Sequence, residues 1–228
     1  KEANVFNIAI EGNFDDCQSL VKSMFADKIF SNEIKMSGVN SINWARIIAQ
    51  SVYYFYSYYL VEGDKQPINF SVPTGNFGDI YAGYLAKKMG LPINKLIVAT
   101  NQNDILHRAI SKGDYEVEKV TETISPSMDI QIASNFERLI YDLNDGDDEK
   151  TIIAMRDIKE KGDYKIDQKK LDKIKLNFLS SRMNEEEVLK NIKLVYEKFD
   201  IVLDPHSAIG HGAFDIVNLN GNNIVLAT

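Results

Sequence analysis

The sequence predicts an α/β fold in which parallel strands form sheets flanked by helices. The first observation is the order strand, loop, helix, strand over residues 68–100, which requires parallel strands joined by a helical crossover. The second is a further apolar run, "IVLD" at 201–204, followed by the helix-like "PHSAIGHGAF". A chain of 228 residues is long enough to bury a sizeable core in one large or two small domains.

The N-terminal elements are predicted from apolar periodicity. The run "VFNIAI" at 5–10 predicts a short buried strand. Cys17, Leu20, Val21 and Met24 then recur with helical spacing after two acidic residues that favour a helix start. The aromatic run at 47–61 is shorter than the roughly 20 residues of a membrane span, so it predicts a buried helix. The polar loop at 62–67 is the best internal boundary.

The later elements follow from apolar runs and helix signals. Gly90 and Pro92 end the helix that begins near Asp79. Asn184, which precedes "EEE", is a predicted helix N-cap in the charge-rich, helical region 157–200. The other predicted elements are the strands 68–72, 95–100, 201–204 and "NNIVLAT" at the end, and the helices "NDILHRAI" and "SNFERLIYDL".

Charge and cysteine content disfavour some classes of function. The net charge of −7 disfavours nucleic-acid and anionic-membrane partners, which reward clustered Lys and Arg. The single cysteine, Cys17, allows no internal disulfide and fits a cytoplasmic protein. It lies on the apolar face of its helix, which favours a core residue over a nucleophile. Neither end of the chain has a polar tail, and both ends resemble cuts through a larger fold.

The segment "SVPTGNFGD" at 71–79 suits a phosphate. Backbone N–H groups after Pro73, at the mouth of a helix, would offer several donors together with the positive end of the helix dipole. Gly75 and Gly78 would allow positive φ and a close approach of the backbone. By itself the pattern fits a tight turn equally well, because it is neither a Walker loop nor a dinucleotide fingerprint.

Six segments of the chain carry a resemblance to a known family. In chain order they are "EGNFDDCQ", "NSINWARI", "PTGNFGD", "SPSMDIQIASNFERL", "DPHSAIGHGA" and "LAT". Together they resemble the threonine synthase family of pyridoxal-phosphate enzymes. The resemblance implies the fold-type II architecture of these enzymes, incomplete here, with the cofactor between two domains. Residues 1–62 would belong to the smaller α/β domain and residues 63–228 to the larger domain that binds the cofactor phosphate.

The resemblance also implies an activity and a set of site residues. The family converts O-phospho-L-homoserine and water to L-threonine and phosphate, with pyridoxal phosphate as electron sink. The backbone N–H groups of Gly75, Asn76, Phe77 and Gly78 would hold the cofactor phosphate, and Thr228 would lie beside the pyridine nitrogen. The substrate phosphate would be bound by Asn40, Ser41 and Arg46. The competing interpretation is that Asn40 or Ser41 only caps the aromatic helix and that Arg46 is solvated.

The sequence departs from the family at the catalytic lysine. No lysine before Gly75 has the Phe-Lys-Asp-like context of the residue that forms the Schiff base, so none is assigned as catalytic. The chain therefore resembles the middle and later part of a threonine synthase, and we expect no turnover from it without the missing N-terminal part. The oligomeric state stays open.

Two alternatives remain, and one metal site is disfavoured. The first alternative is another fold-type II lyase, such as a serine or threonine dehydratase, and the second is a non-catalytic remnant that binds pyridoxal phosphate or phosphate. His206 and His211 are five residues apart with Asp204 nearby, whereas ligands on one helix face are usually four apart. We therefore expect no metal.

Overall fold

The computed structural model describes residues 3–12, 14–39, 43–61 and 66–227. The chain divides into two compact units, residues 1–38 and residues 39–228, and each is described by itself. The predicted domain boundary at residue 62 stays a prediction.

Helices dominate the described ranges. The α-helices are α1 (Phe14–Ala26), α2 (Lys28–Glu33), α3 (Trp44–Leu60), α4 (Gly78–Lys88), α5 (Ile105–Lys112), α6 (Phe136–Leu143), α7 (Asp148–Lys161), α8 (Gln168–Asn177), α9 (Glu185–Phe199) and α10 (Pro205–Val217). The strands are β1 (Ile68–Pro73), β2 (Ile93–Thr100), β3 (Asp114–Glu116), β4 (Asp163–Lys165), β5 (Phe178–Arg182) and β6 (Asn222–Val225). A short 3₁₀ turn covers Pro126–Met128.

The first unit contains α1 and α2 but not the strand predicted at 5–10. Residues 5–10, all described, form neither strand nor helix, and Phe6 and Ile8 are exposed. The prediction was wrong because an apolar run becomes a strand only where another strand pairs with it, and the described residues of this unit contain none.

The second unit is built on a four-stranded sheet in the order β5-β2-β1-β6. All three pairings are parallel, and α4 forms the crossover from β1 to β2. The predicted parallel α/β sheet is therefore confirmed. The short strands β3 and β4 form a separate antiparallel pair.

The core lies on both faces of this sheet. Because side chains alternate along a strand, Leu96 and Val98 of β2 belong to one buried cluster, while Ile97 and Ala99 belong to another. The first cluster includes residues of α3, α4, α5 and α8, and the second includes residues of α9 and α10. The helices therefore flank the sheet on both sides, as predicted.

Two strand assignments near the C-terminus differ from the prediction. Residues 201–204 form no strand, and β5 lies instead at 178–182, within the region predicted to be helical. The sheet position beside β2 is taken by "FLSSR", so "IVLD" has no strand to pair with and leads into α10. The predicted C-terminal strand is confirmed as β6.

The aromatic helix α3 is buried on only one side. Ile47, Ser51, Tyr54 and Tyr58 are buried, with the spacing of one helix face. The opposite face remains exposed, so the prediction of a buried helix was half right. No helix in the described ranges combines the length and hydrophobicity that a membrane span requires.

Candidate functional site

The loop from β1 to α4 is fixed at both ends. At its start, the backbone N–H of Thr74 donates to the carbonyl oxygen of Ala99 on β2 at 2.8 Å. The Thr74 hydroxyl donates back to the Val72 carbonyl oxygen at 2.6 Å. At its end, the first described helical bond of α4 runs from the Tyr81 N–H to the Phe77 carbonyl oxygen at 3.1 Å. The loop is therefore held by the sheet on one side and by the helix on the other.

Phe77 makes the turn into the helix, and neither glycine does so. Its φ is +66°, a left-handed conformation that costs an ordinary residue about 1 kcal/mol. The burial of the Phe77 ring between aromatic rings of other elements offsets this backbone strain. Its centroid lies 5.3 Å from that of Phe136 and 5.7 Å from that of Phe178.

The two glycines are not used in the predicted way. Neither Gly75 nor Gly78 has a positive φ, so the expectation about their conformation was wrong. The close approach at Gly75 is to protein: a Cβ there would lie 2.7 Å from the Ser127 carbonyl oxygen. Gly75 therefore lets the turn at 126–128 pack against the loop.

Asn76 ties the loop to the segment before α6. Its side-chain oxygen accepts from the Ser134 N–H at 3.2 Å and from the Ser134 hydroxyl at 3.1 Å. Its carbonyl oxygen accepts from the Asn135 N–H at 3.1 Å. The Asn76 side chain thus supports the loop and leaves its own backbone N–H uncommitted.

The N–H groups of Gly75, Asn76, Phe77 and Gly78 form what we call the N–H cup. None of these four donors makes a hydrogen bond to a residue that the structure describes. Four consecutive unpaired donors at the start of an 11-residue helix are the arrangement that binds a phosphate or another anion. The predicted cofactor-phosphate residues therefore lie together and have free donors.

A cavity of about 160 Å³ opens onto the N–H cup. It is lined by residues 73–80 and by Gln50 of α3. Two buried side-chain oxygens, Gln50 Oε1 and Asp79 Oδ1, have no hydrogen-bond partner among the described residues. Burial raises the pKa of Asp79 from 3.8 to about 6, and the nearby Tyr54 hydroxyl, which donates to the Asp79 backbone carbonyl oxygen, opposes that shift. The cavity therefore combines free backbone donors with two unsatisfied acceptors.

A second cavity, of about 450 Å³, shares Pro73 and Gly75 with the first. Its other lining residues are Ser127, Met128, Asp204 and His206. His206 Nδ1 lies 3.2 Å from Asp204 Oδ1, and the buried His206 Nε2 has no partner among the described residues. His206 thus places an imidazole, hydrogen-bonded to a carboxylate, in the cavity that borders the N–H cup.

A polar network holds the turn that lines the second cavity. The Asp129 carboxylate accepts from Asn101 Nδ2 at 2.8 Å, from Asn103 Nδ2 at 2.9 Å and from the Thr123 N–H at 2.8 Å. The 3₁₀ turn that touches Gly75 directly precedes Asp129. The network therefore fixes the position of that turn from the end of β2.

The predicted substrate-phosphate residues are only partly described. Asn40 and Ser41 lie outside the described residues, and so does Thr228. Arg46 is exposed in the first turn of α3, and that helix is capped by Asn43, whose side-chain oxygen accepts from the Ala45 N–H at 3.0 Å. Since Arg46 precedes Gln50 by four residues, both lie on the same face of α3.

Several of these residues escaped the sequence analysis. Gln50 lines the first cavity but belongs to none of the six segments that resemble the family. Asp79 and Ser127 lie within two of those segments, but the sequence analysis gave them no role. His206 and His211 were considered only as metal ligands, but His211 Nδ1 lies 3.2 Å from Asn191 Oδ1. Among the described residues, no group of three or more His, Cys, Asp or Glu side chains could hold a metal.

Comparison with known proteins gives one consistent result. The chain is 48% identical over 208 residues to threonine synthase from Pseudomonas aeruginosa, which covers 91% of this chain and 44% of that protein. It is 45% identical over 225 residues to the Saccharomyces cerevisiae threonine synthase, covering 92% of this chain and 44% of that protein. No family model matches the chain.

A solved structure agrees with the sequence matches. The pyridoxal-phosphate-bound threonine synthase from Brucella melitensis superimposes with a TM-score of 0.88 and 49% sequence identity, covering 96% of this chain and 48% of that one. The chain thus spans about half the length of the curated relatives and of this structure.

Proposed function

Because the chain is a homologue of the threonine synthases by sequence and by fold, we propose that it supplies the cofactor-binding part of a threonine synthase. Such an enzyme converts O-phospho-L-homoserine and water to L-threonine and phosphate. The single observation that carries the proposal is the N–H cup, whose four backbone donors have no acceptor among the described residues.

Pyridoxal phosphate fits the residues that are present. Its phosphate would accept from the N–H groups of Gly75, Asn76, Phe77 and Gly78, at the positive end of the α4 dipole. Because β1, β2 and the aromatic packing of Phe77 fix the loop, the donors are oriented before the ligand arrives. When bound, the cofactor supplies an electron sink for negative charge on the substrate carbon atoms.

The substrate phosphate needs a separate site. We propose that Arg46 binds it by charge-assisted hydrogen bonds, together with Asn40 and Ser41. The exposed guanidinium of Arg46 lies one helical turn from Gln50, which lines the cavity of the N–H cup. Thr228 is proposed as the neutral hydroxyl beside the pyridine nitrogen. The cofactor and substrate phosphates would thus be held by different elements.

A finer proposal concerns the lysine that holds the cofactor covalently. We propose that no lysine of this chain has this role, so that the chain alone binds pyridoxal phosphate without turnover. Borohydride reduction with the cofactor, followed by peptide mass spectrometry, tests this. A stoichiometric adduct on one lysine, or steady phosphate release from O-phospho-L-homoserine, would refute it.

The N–H cup itself is best tested by amide NMR. On titration with pyridoxal phosphate, and separately with inorganic phosphate, the amide protons of residues 75–78 should shift strongly in a saturable manner. The internal control is the start of α5, where the Asn103 N–H already donates to Asn101 Oδ1 at 2.8 Å and should not move. Saturable binding that leaves residues 75–78 unshifted would show that the phosphate binds elsewhere.

A further inference from the structure

Asp79 is an acidic residue of the cavity for which we propose an anion. It is the second residue of α4, and it lines the same cavity as the N–H cup. Its Oδ1 is buried and has no hydrogen-bond partner among the described residues. An ionised carboxylate there would repel the phosphate that the adjacent donors attract.

The charges around Asp79 do not neutralise it. Of the elements that pack on α4, α3 contributes Tyr54 and Arg46. The Tyr54 hydroxyl donates to the Asp79 carbonyl oxygen at 2.9 Å, and Arg46 is exposed. From β2, Lys95 donates instead to the carbonyl oxygens of Lys175 and Leu176.

The charges of α6 and of α4 itself are also committed elsewhere. Asp142 accepts from the Tyr81 hydroxyl at 2.9 Å and pairs with Lys88 at 3.2 Å. Arg138 lies over the Trp44 ring, 5.0 Å from its centroid. Among the described residues, therefore, no cation forms an ion pair with the Asp79 carboxylate.

Resting on the proposed function, we propose that Asp79 takes up one proton from solvent when an anion binds the N–H cup, and that its carboxylic acid then donates a hydrogen bond in the cavity. The proton removes the repulsion between carboxylate and anion. The protonated carboxyl is also a side-chain donor, in a cavity where Gln50 Oε1 is an acceptor without a partner among the described residues.

Two physical arguments support this uptake. Burial already raises the pKa of Asp79 to about 6, so little further change is needed for protonation near neutral pH. A second negative charge in the same site raises a carboxyl pKa further, as in any pair of acids that share a site. Proton uptake by Asp79 therefore makes anion binding weaker as pH rises.

The test uses sulfate, because a phosphate monoester has its own pKa near 6 and would obscure the result. Sulfate affinity is measured from the amide shifts of residues 75–78 at several pH values above 6. The wild-type affinity should fall about tenfold per pH unit, since one proton is bound with each anion. Asp79→Asn should make the affinity nearly independent of pH and raise it more than tenfold at pH 8.

The matched control is Asp148→Asn. Asp148 is also an acid in the first turn of a helix, but it lies on α7 and lines neither cavity. Its substitution should leave the sulfate affinity and its pH dependence unchanged. A second measurement, carbon-detected NMR of the Asp79 carboxyl in the wild-type chain, should show its pKa rising on saturation with sulfate.

The outcomes separate this inference from the proposed function. If sulfate shifts the amides of residues 75–78 with the same pH dependence in wild type and Asp79→Asn, the Asp79 inference is wrong and the N–H cup stands. If Asp79→Asn does not fold, an Asp79 pKa that sulfate leaves unchanged in the wild-type chain overturns the inference equally. If sulfate, inorganic phosphate and pyridoxal phosphate all leave these amides unshifted, the N–H cup itself is wrong.

Discussion

Gly75 is the residue at which the geometry of the N–H cup is most sensitive to one added carbon. A Cβ would lie 2.7 Å from the Ser127 carbonyl oxygen, a backbone atom that cannot move aside as a flexible side chain can. We expect Gly75→Ala to displace the loop from the turn at 126–128. The affinity for pyridoxal phosphate should fall by at least about tenfold, or about 1.4 kcal/mol, in a fluorescence titration.

The control for Gly75→Ala is Gly162→Ala, which strains the backbone elsewhere. Gly162 ends α7 with φ of +72°, and the nearest atom to an added Cβ is 3.8 Å away. This change should lower the free energy of unfolding by about 1 kcal/mol without affecting the affinity. Equal affinities for wild type and Gly75→Ala would mean that the loop and the turn move together freely.

Asp79 should also make stability depend on pH. The folded-state pKa of about 6 exceeds the ordinary value of 3.8, so the folded chain binds more protons than the unfolded chain between these values. Stability contributed by the neutral acid is therefore complete below pH 3.8 and is lost as pH rises to about 6. Asp79→Asn should raise the free energy of unfolding at pH 7.5 by up to about 3 kcal/mol.

A comparison at two pH values distinguishes the ionisation of Asp79 from a general effect of the substitution on stability. At pH 4 the difference between Asp79→Asn and wild type should nearly vanish, because the wild-type carboxyl is then largely neutral when folded. Urea unfolding at both pH values measures the two differences. A variant less stable than wild type at pH 7.5 would show that the attraction of the carboxylate to the α4 dipole outweighs its desolvation.

At the scale of elements, local signals predicted β1, α4 and β2 well. The two strands are continuous apolar runs, and the helix follows a glycine loop and is ended by a Gly and a Pro. The strands expected at 5–10 and 201–204 failed because pairing depends on a distant partner. β5 went unrecognised for the converse reason, since a short mixed segment becomes a strand when it pairs with β2.

The candidate site likewise contains residues that the sequence predicted and residues that it did not. The N–H cup could be predicted because its donors are consecutive in sequence. Gln50 carried no such signal, and Ser127 and His206 were not assigned to a cavity although both lie in segments that resemble the family. Only the packing of the sheet and helices brings these three separate segments to the loop. The packing at Gly75 depends on one of these segments, the turn at 126–128.

The contact between α3 and α4 positions the helix whose start forms the N–H cup. At Gly83, in the middle of α4, an added Cβ would overlap Tyr54 Cε1 and would lie 2.9 Å from Leu96 Cδ2. Gly83→Ala should therefore separate the two helices and lower the free energy of unfolding by about 1–3 kcal/mol, although alanine favours a helix.

Chemical unfolding monitored by circular dichroism measures this effect. Lys88→Ala, at the exposed end of the same helix, removes a surface ion pair with Asp142 and a contact of the ammonium with the Tyr84 ring, and it should cost less than about 1 kcal/mol. If Gly83→Ala were as stable as wild type, the prediction would be wrong. Tyr54, which is fully buried in the core, would then have adopted another rotamer at no cost in stability.

At the scale of the whole molecule, the exposed face of α3 is the feature that should govern behaviour in solution. Ile48, Val52, Tyr56 and Tyr59 repeat with helical spacing on one face, and Val52, Tyr56 and Tyr59 are 60%, 63% and 73% exposed. A contiguous apolar stripe of this kind marks an interaction surface or promotes association. We expect the 228-residue chain to self-associate through this face as its concentration rises.

Light scattering after size-exclusion chromatography tests this expectation at several concentrations. The double variant Val52→Gln with Tyr56→Gln should shift the mass toward 25.8 kDa, because it removes apolar area from the centre of the stripe. Sulfate binding should persist, since neither residue lines the cavity of the N–H cup. The matched control, Ile152→Gln with Ile153→Gln, changes two exposed apolar residues on α7 and should leave association unchanged. If the wild-type chain has a mass of 25.8 kDa at every concentration, or if both double variants reduce association equally, the α3 face is not the contact.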